Sequence, residues 1–272
     1  MEIRHKSIPT LRIITDPKKS AKVVGLRYVS DAGPGIRRKK VGKSFRFINP
    51  NGKDLSDSRQ LGRIKSLAIP PAWSDVWICP NEDGHVQATG RDVRGRKQHR
   101  YHRRWREVRD EIKFNRMMVF AKALPKIRKR IVRDLKLPGL PFKKVLATIV
   151  QLLEASLIRV GNEEYARTNQ SFGLTTLQNK HVKVTGGRIR FEFRGKSGKH
   201  HTIDVEDKRL AKIVKSCQSI PGQDLFQYYD DEGKRQDVKS EDVNGYLRET
   251  CGEDFTAKDF RTWAGTVLAA MA

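Results

Sequence analysis

Four segments gather side chains that can hold or activate a phosphate. The first, ATGRDVRGRKQHRYH (88–102), mixes Arg91, Arg94, Arg96, Lys97 and Arg100 with Gln98, His99 and Tyr101. Arginine and lysine grip phosphates, and an amide flanked by planar rings can reach base edges in a groove. Gly90 and Gly95 allow tight turns that bring main chain close to a phosphate strand. Residues 91–116 carry eleven basic and four acidic side chains, a net of +7. The competing reading is a solvated basic loop. The second segment, LIRVGNEEYARTNQSFGLTTLQNKHV (157–182), places Arg159 near a helix end, two residues before Gly161, with Tyr165 six residues on. Taken alone, an arginine beside a glycine says little. In the third, FEFRGKSGKHHTIDV (191–205), Lys196 sits in a glycine-flanked turn between strands. Such a tip can push one ammonium into a groove, although spacing alone favours an ordinary exposed turn lysine. His200 and His201 are adjacent on a strand, point to opposite faces and do not make a shared metal site. The fourth, FTAKDFRTWAGT (255–266), puts Arg261 in the first or second turn of a capped helix, with Trp263 turned to the core. A guanidinium there can hold a phosphate through two parallel hydrogen bonds, or pair with Asp259 or Asp254.

The elements that position these groups fall into two parts. Residues 20–100 read as short strands, Val23–Val29, Ser44–Ile48, Val76–Cys79 and Val86–Thr89. AGPG (32–35), NPNG (49–52) and PNEDG (80–84) separate them, and one helix is expected near Ser58–Leu67. After Trp105 the pattern becomes helical. One face runs from Met117 to Leu135, LPGLPF (137–142) interrupts it, and a second helix is expected from Lys143 to about Ala166. Lys180 to Val205 reads as three strands joined by TGG (185–187) and RGKSGK (194–199). Helices return at Arg209–Cys217, Ser240–Thr250 and from Thr256, where Asp259 completes a capping box. The expected fold is α+β: a small β-rich N-terminal domain (1–107) and a larger, mainly helical domain (108–272) with an embedded small antiparallel sheet. The last helix runs apolar into VLAAMA with no glycine, cap or basic turn to close it. It reads as continuing into further sequence, against a short natural tail helix.

Composition narrows the partner. Across 272 residues, 56 Lys and Arg face 31 Asp and Glu, a net charge of +25. No fold needs that excess, which repels itself unless a polyanion neutralises it. Nucleic acid is the first candidate, because each neutralised phosphate releases counterions. A basic ribosome-associated or merely basic surface is the alternative. Three widely spaced cysteines, Cys79, Cys217 and Cys251, fit a reducing cytosol with neither disulfide frame nor zinc site. No segment approaches the roughly 18 apolar residues of a membrane span. The start, MEIRHKSIPT, lacks the apolar stretch of a signal peptide. A cytoplasmic protein on nucleic acid, in a bacterium on the nucleoid, is expected.

Taken together and in order, GRDVRGRKQHRYH, RVGNEEYA, GLTTLQN and TAKDFRTWAGT resemble the poxvirus-like bacterial type IB DNA topoisomerases, from about residue 20 to the last residue. The resemblance implies a two-lobed monomeric clamp on double-stranded DNA, a helical catalytic domain, and relaxation of supercoils without ATP, nucleotide cofactor or required metal. In that family a tyrosine attacks a phosphodiester, leaving a 3′-phosphotyrosyl link that stores the energy for resealing. By matching, Arg159 and Arg261 are the catalytic arginines that stabilise the charged phosphorane, and Lys196 is the acid that protonates the departing 5′-oxygen. Gln98, His99, Tyr101, Arg109 and Tyr165 fall where the family contacts DNA. Arg91 and Arg96 belong to the same basic segment.

Three departures stand out. His99 replaces a tyrosine of the poxvirus relatives, and Asn162 and Glu164 replace lysines beside Tyr165, so a poxvirus-like target preference does not carry over. The family's catalytic histidine and nucleophilic tyrosine follow the Arg261 segment, and only eleven residues follow Arg261 here. None of Tyr28, Tyr101, Tyr165, Tyr228, Tyr229 or Tyr246 holds the nucleophile's place in the motif order. The chain as written is therefore expected to cleave no strand. A non-catalytic duplex-DNA-binding protein is the competing reading, and a tyrosine recombinase a more distant one that the β-rich front argues against.

Overall fold

The computed structural model describes residues 16–272, so the expectation drawn from MEIRHKSIPT lies outside the described residues. The chain forms two compact units divided between Arg116 and Met117. The fold is α+β.

The N-terminal unit begins with α1 (Pro17–Val23), where a strand through Val23–Val29 was expected. Pro17 presets the first helical turn, and the Asp16 carboxylate accepts the Lys18 N–H at 2.9 Å. Past this helix the chain makes only one isolated bridge, from Arg27 to Gly84, in place of the expected strand. Five antiparallel strands make the sheet: β1 (Ile36–Val41), β2 (Ser44–Ile48), β3 (Ser74–Ile78), β4 (Val86–Arg91) and β5 (Lys97–Tyr101). Their order is β2-β1-β3-β4-β5, which leaves β5 on an edge. α2 (Ser58–Ser66), capped by Asp57, covers one face, where Ile64 meets Ile36, Val76, Ile78 and Ala88. On the other side Trp77, Cys79 and Val86 pack with Val29 and Tyr101.

Two strands escape sequence patterning because their side chains are charged. β1 reads IRRKKV, and only Ile36 is buried. Its half-buried Arg38 is held by the carbonyls of Ile69, Pro70 and Trp73 at 2.7–3.3 Å. Gly90 lies inside β4 and not in a turn. A Cβ there would meet the Trp73 ring at 2.9 Å and the Ser74 carbonyl at 3.2 Å.

α3 (Arg103–Asp134) starts fourteen residues before the Met117 face that predicted it. In the C-terminal unit, α4 (Phe142–Ser156) is the central helix. Val145, Leu146, Ala147, Ile149, Val150, Leu152 and Leu153 are all buried, an all-round apolar pattern that marks a helix enclosed by others. The helix expected to reach Ala166 stops ten residues earlier. Leu157 takes a left-handed conformation (φ 55°), and a separate short helix, α5 (Glu163–Asn169), restarts behind an Asn162 cap that accepts the Tyr165 N–H at 3.0 Å. Around α4 pack α6 (Lys208–Gln218), α7 (Ser240–Cys251) and α8 (Ala257–Met271). The three expected strands are present as β6 (Val182–Thr185), β7 (Arg188–Arg194) and β8 (His200–Glu206), in that order. Ile189, Phe191 and Phe193 alternate into the core. A two-stranded hairpin, β9 (Gln227–Tyr229) and β10 (Arg235–Asp237), is an addition that the sequence pattern did not reveal.

Among the described residues no helix is long and apolar enough to cross a membrane, and no group of three or more His, Cys, Asp or Glu is placed to hold a metal ion. Cys79, Cys217 and Cys251 are unpaired thiols.

Candidate active site

Arg159 and Arg261, 102 positions apart, lie near enough in the C-terminal unit for the Arg159 charge to act on Arg261. Arg159 lies just past α4, in the connection to α5 and not in a helix. Its main chain is pinned, because its carbonyl accepts the Leu174 N–H at 2.8 Å and Val160 accepts the Thr175 N–H at 2.7 Å. The side chain is exposed. The return segment can approach this closely only because residue 173 is glycine. A Cβ on Gly173 would stand 2.5 Å from the Arg159 carbonyl oxygen and 2.6 Å from Gly161 Cα.

Arg261 sits in the second turn of α8. Asp259 Oδ2 accepts the Thr256 N–H at 2.8 Å, and Asn244 Oδ1 accepts the Ala257 N–H at 3.0 Å, so the first turn is tied at two points. Phe260 is buried with its ring 5.1 Å from Phe120, and Trp263 packs against the same core. Arg261 is half-buried. Burial holds its pKa below the usual guanidinium value, and the nearby Arg159 charge adds to that. The contacts described for the two nearby carboxylates go elsewhere, Asp259 to the Thr256 N–H and Asp254 to Arg248 at 3.6 Å. Two guanidiniums that repel each other make an anion-seeking arrangement.

Lys196 is exposed at the β7–β8 tip, where Ser197 and Gly198 both take positive φ. The Phe172 N–H donates to the Arg194 carbonyl at 2.8 Å, which ties the base of this tip to the segment that pins Arg159. His200 is exposed, whereas His201 stacks on Phe193 at 5.3 Å. An open groove of about 1050 Å³ lies nearby, lined by Arg167, Lys180, His181 and Arg194 but also by Glu163, Glu192, Asp224 and Asp237. Neither arginine of the pair nor Lys196 lines it. The mixed charge of the groove suits an anion less well than the arginine pair does.

In the N-terminal unit, β5 sends neighbouring residues to opposite sides. His99 and Tyr101 stack in parallel at 5.6 Å, and the Arg109 guanidinium lies 5.3 Å from the Tyr101 ring centre. Arg91 faces Asp75 at 3.6 Å and donates to the Gly95 carbonyl at 3.0 Å, while Arg96 pairs with Asp92 at 2.7 Å. Gln98 also bonds Asp92. In the other unit Tyr165 is exposed on α5. Sequence reading missed Asp92 and Gly173. The Asp-x-x-Gly turn signature marks the first, and nothing local marks the second.

The tyrosines differ sharply in setting. Tyr246 is buried, its hydroxyl donates to Asp134 at 3.0 Å, and burial followed by the Asp134 charge pushes its pKa well above the ordinary phenol value. Tyr228 stacks on Phe142 at 4.4 Å, and its pKa is raised by burial and by nearby Asp242 and Asp230.

Fold and site together describe a basic α+β protein with a paired-guanidinium centre. Residues 102–272 match the family described as Eukaryotic DNA topoisomerase I, catalytic core. Residues 44–92 match Bacterial DNA topoisomerase IB, N-terminal domain. DNA topoisomerase 1B of Acanthamoeba polyphaga mimivirus is 35% identical over 237 residues, covering 86% of this chain and 70% of that protein. DNA topoisomerase I of Monkeypox virus and DNA topoisomerase 1B of Vaccinia virus (strain Copenhagen) are each 26% identical over 197 residues, 69% of this chain and 62% of theirs. The chain thus spans less than two thirds of the poxvirus proteins. It belongs to the poxvirus-like type IB DNA topoisomerase family.

Proposed function

We propose that this chain binds duplex DNA as a monomer, in the cytoplasm and on the nucleoid, and supplies the cationic half of a type IB topoisomerase site. The observation that carries this reading is the nearness of Arg159 to the half-buried Arg261. In phosphoryl transfer the developing charge spreads over the equatorial oxygens, and preorganised cations in a site that excludes water stabilise it. The two arginines do this in the proposal. Lys196, exposed at its tip, donates the proton to the leaving 5′-oxygen, a contribution of roughly 10²–10⁴-fold. The full reaction relaxes supercoils without ATP, because the 3′-phosphotyrosyl link conserves the bond energy.

The nucleophile is the missing part of this proposal. Tyr246 is held protonated against Asp134, and Tyr228 is stacked and pushed the same way. Tyr101 is occupied by Arg109 and His99. Tyr28 stacks on His85, and Tyr165 and Tyr229 are exposed but do not hold the nucleophile's place in the family's motif order. On that reading these 272 residues alone are proposed to bind without cutting. That would also fit a non-catalytic duplex binder, which shares the first test.

The test is duplex affinity against salt. With six phosphates neutralised, affinity should fall by about three orders of magnitude between roughly 50 and 200 mM salt. Fluorescence anisotropy with a labelled duplex reads this directly. Salt-independent binding, or a preference for single strands, would count against the proposal.

A further inference from the structure

The hairpin joining β4 to β5 is organised around one carboxylate. Asp92 Oδ1 accepts the main-chain N–H of Arg94 at 2.9 Å and of Arg96 at 3.0 Å. Oδ2 accepts the Arg96 Nε–H at 2.8 Å and the Gln98 amide N–H at 3.0 Å. The Asp92 side chain is only 14% exposed. The turn closes between Asp92 and Gly95, where a positive φ of 72° suits glycine. The Arg96 guanidinium, helped by the turn N–H groups, brings the Asp92 carboxyl down to about 2, so it is ionised throughout the working range.

That ionisation has a consequence for Gln98. A carboxylate only accepts, so the nitrogen of the amide must face it. Turning the amide over would set two acceptors against each other. Gln98 Oε1 keeps no hydrogen-bond partner among the described residues, on a half-exposed residue of the edge strand. A side-chain amide is ordinarily ambivalent between donor and acceptor, and here the choice is made before any ligand arrives.

We propose that Asp92 is a positioning residue that fixes the Gln98 amide with its oxygen toward DNA, so that the hairpin selects a base offering an amino group. In the major groove those bases are adenine, through N6, and cytosine, through N4. Guanine and thymine present O6 or O4 and set oxygen against oxygen. The inference rests on the reading that this hairpin meets the base edges of duplex DNA.

The experiment is a binding selection with the full chain from duplexes randomised over a short window, sequencing the bound fraction for wild type, Gln98→Ala, Asp92→Asn and Asp92→Ala. Wild type is expected to favour A or C over G or T at one position by roughly fivefold, the scale of one good base contact. Gln98→Ala should flatten that position. Asp92→Asn keeps an oxygen for the turn N–H groups but offers an amino group to Gln98, freeing the amide to reverse. The preference there should drop below about twofold or invert, by more than any loss of affinity for the whole pool. Asp92→Ala should flatten it as well. If Asp92→Asn retains the wild-type preference at the Gln98-dependent position, Asp92 does not set it. A uniform loss of pool affinity with the preference intact would make Asp92 a loop-folding residue only, and would equally overturn the proposal. If Gln98→Ala changes no position, the reading that the hairpin meets bases fails first, and the role of Asp92 fails with it.

Discussion

Arg261→Ala, made in a version of the chain carrying the tyrosine-bearing segment that the family places after Arg261, is expected to slow strand cleavage by about 10²–10³-fold. Duplex affinity should stay within roughly fivefold, the loss of one phosphate contact among several. The expectation comes from how Arg261 is held. Its helix is tied at the first turn by Asp259 and Asn244 and anchored by Phe260. A guanidinium fixed in this way needs no reorganisation as charge develops, and this distinguishes a transition-state contact from a binding contact. It is also half-buried beside Arg159, so its charge is less screened than a surface charge. Single-turnover cleavage of an end-labelled duplex, measured beside its binding curve, separates the two effects. Cleavage at the wild-type rate would remove Arg261 from the site. A binding loss equal to the cleavage loss would make it a ground-state contact.

Asp134→Ala is expected to destabilise the C-terminal unit by about 3–5 kcal/mol. Asp134 ends α3 with its side chain 3% exposed. It accepts Arg130 at 2.6 Å, Arg133 at 3.0 Å and the Tyr246 hydroxyl at 3.0 Å, joining α3 to α7. Alanine would strand a buried phenol and leave the Arg130 guanidinium without its partner. Tyr246→Phe removes one hydrogen bond and should lose only about 1 kcal/mol. The node also sets a pH dependence. Burial pushes the Asp134 carboxyl up, but the bonds from Arg130, Arg133 and Tyr246 together outweigh it and hold the carboxyl below its ordinary value. The folded pKa is thus the lower one. This stabilisation is complete above the unfolded value of about 3.9 and is lost as pH falls through the folded value. Urea midpoints at neutral pH and near pH 3 should converge between wild type and Asp134→Asn as the acid limit is approached. A constant difference between them would show that Asp134 is not charged in the folded protein.

How much of this was legible in the sequence depended on where the information lay. α2, α6 and α7 follow local apolar spacing and came within two residues of their observed ends. The capping box at Thr256 also named the start of α8. β1 and β5 were hidden because long charged side chains occupy positions where a strand usually shows alternation. The break at Leu157 was hidden because a leucine rarely adopts the left-handed conformation that ends α4. The site residues were nameable only through ordered motifs, since no local pattern shows that Arg159 and Arg261 lie near each other. The main chain of Arg159 is held by a chain crossing that Gly173 permits. Asp92 sat in plain view as a turn residue, but its hold on Gln98 depends on the hairpin register, Gly90 opposite Gln98 and Arg91 opposite Lys97.

The proposal that these residues hold the cations of the reaction and not its nucleophile is tested most directly with supercoiled plasmid. The 272-residue chain is incubated with it in the absence of ATP and magnesium, and the products are resolved with and without prior removal of protein. The expected result is retarded plasmid that returns to its original supercoiling once protein is removed. A ladder of relaxed topoisomers made by this chain alone would contradict the proposal, because a nucleophile would then have to lie within these 272 residues.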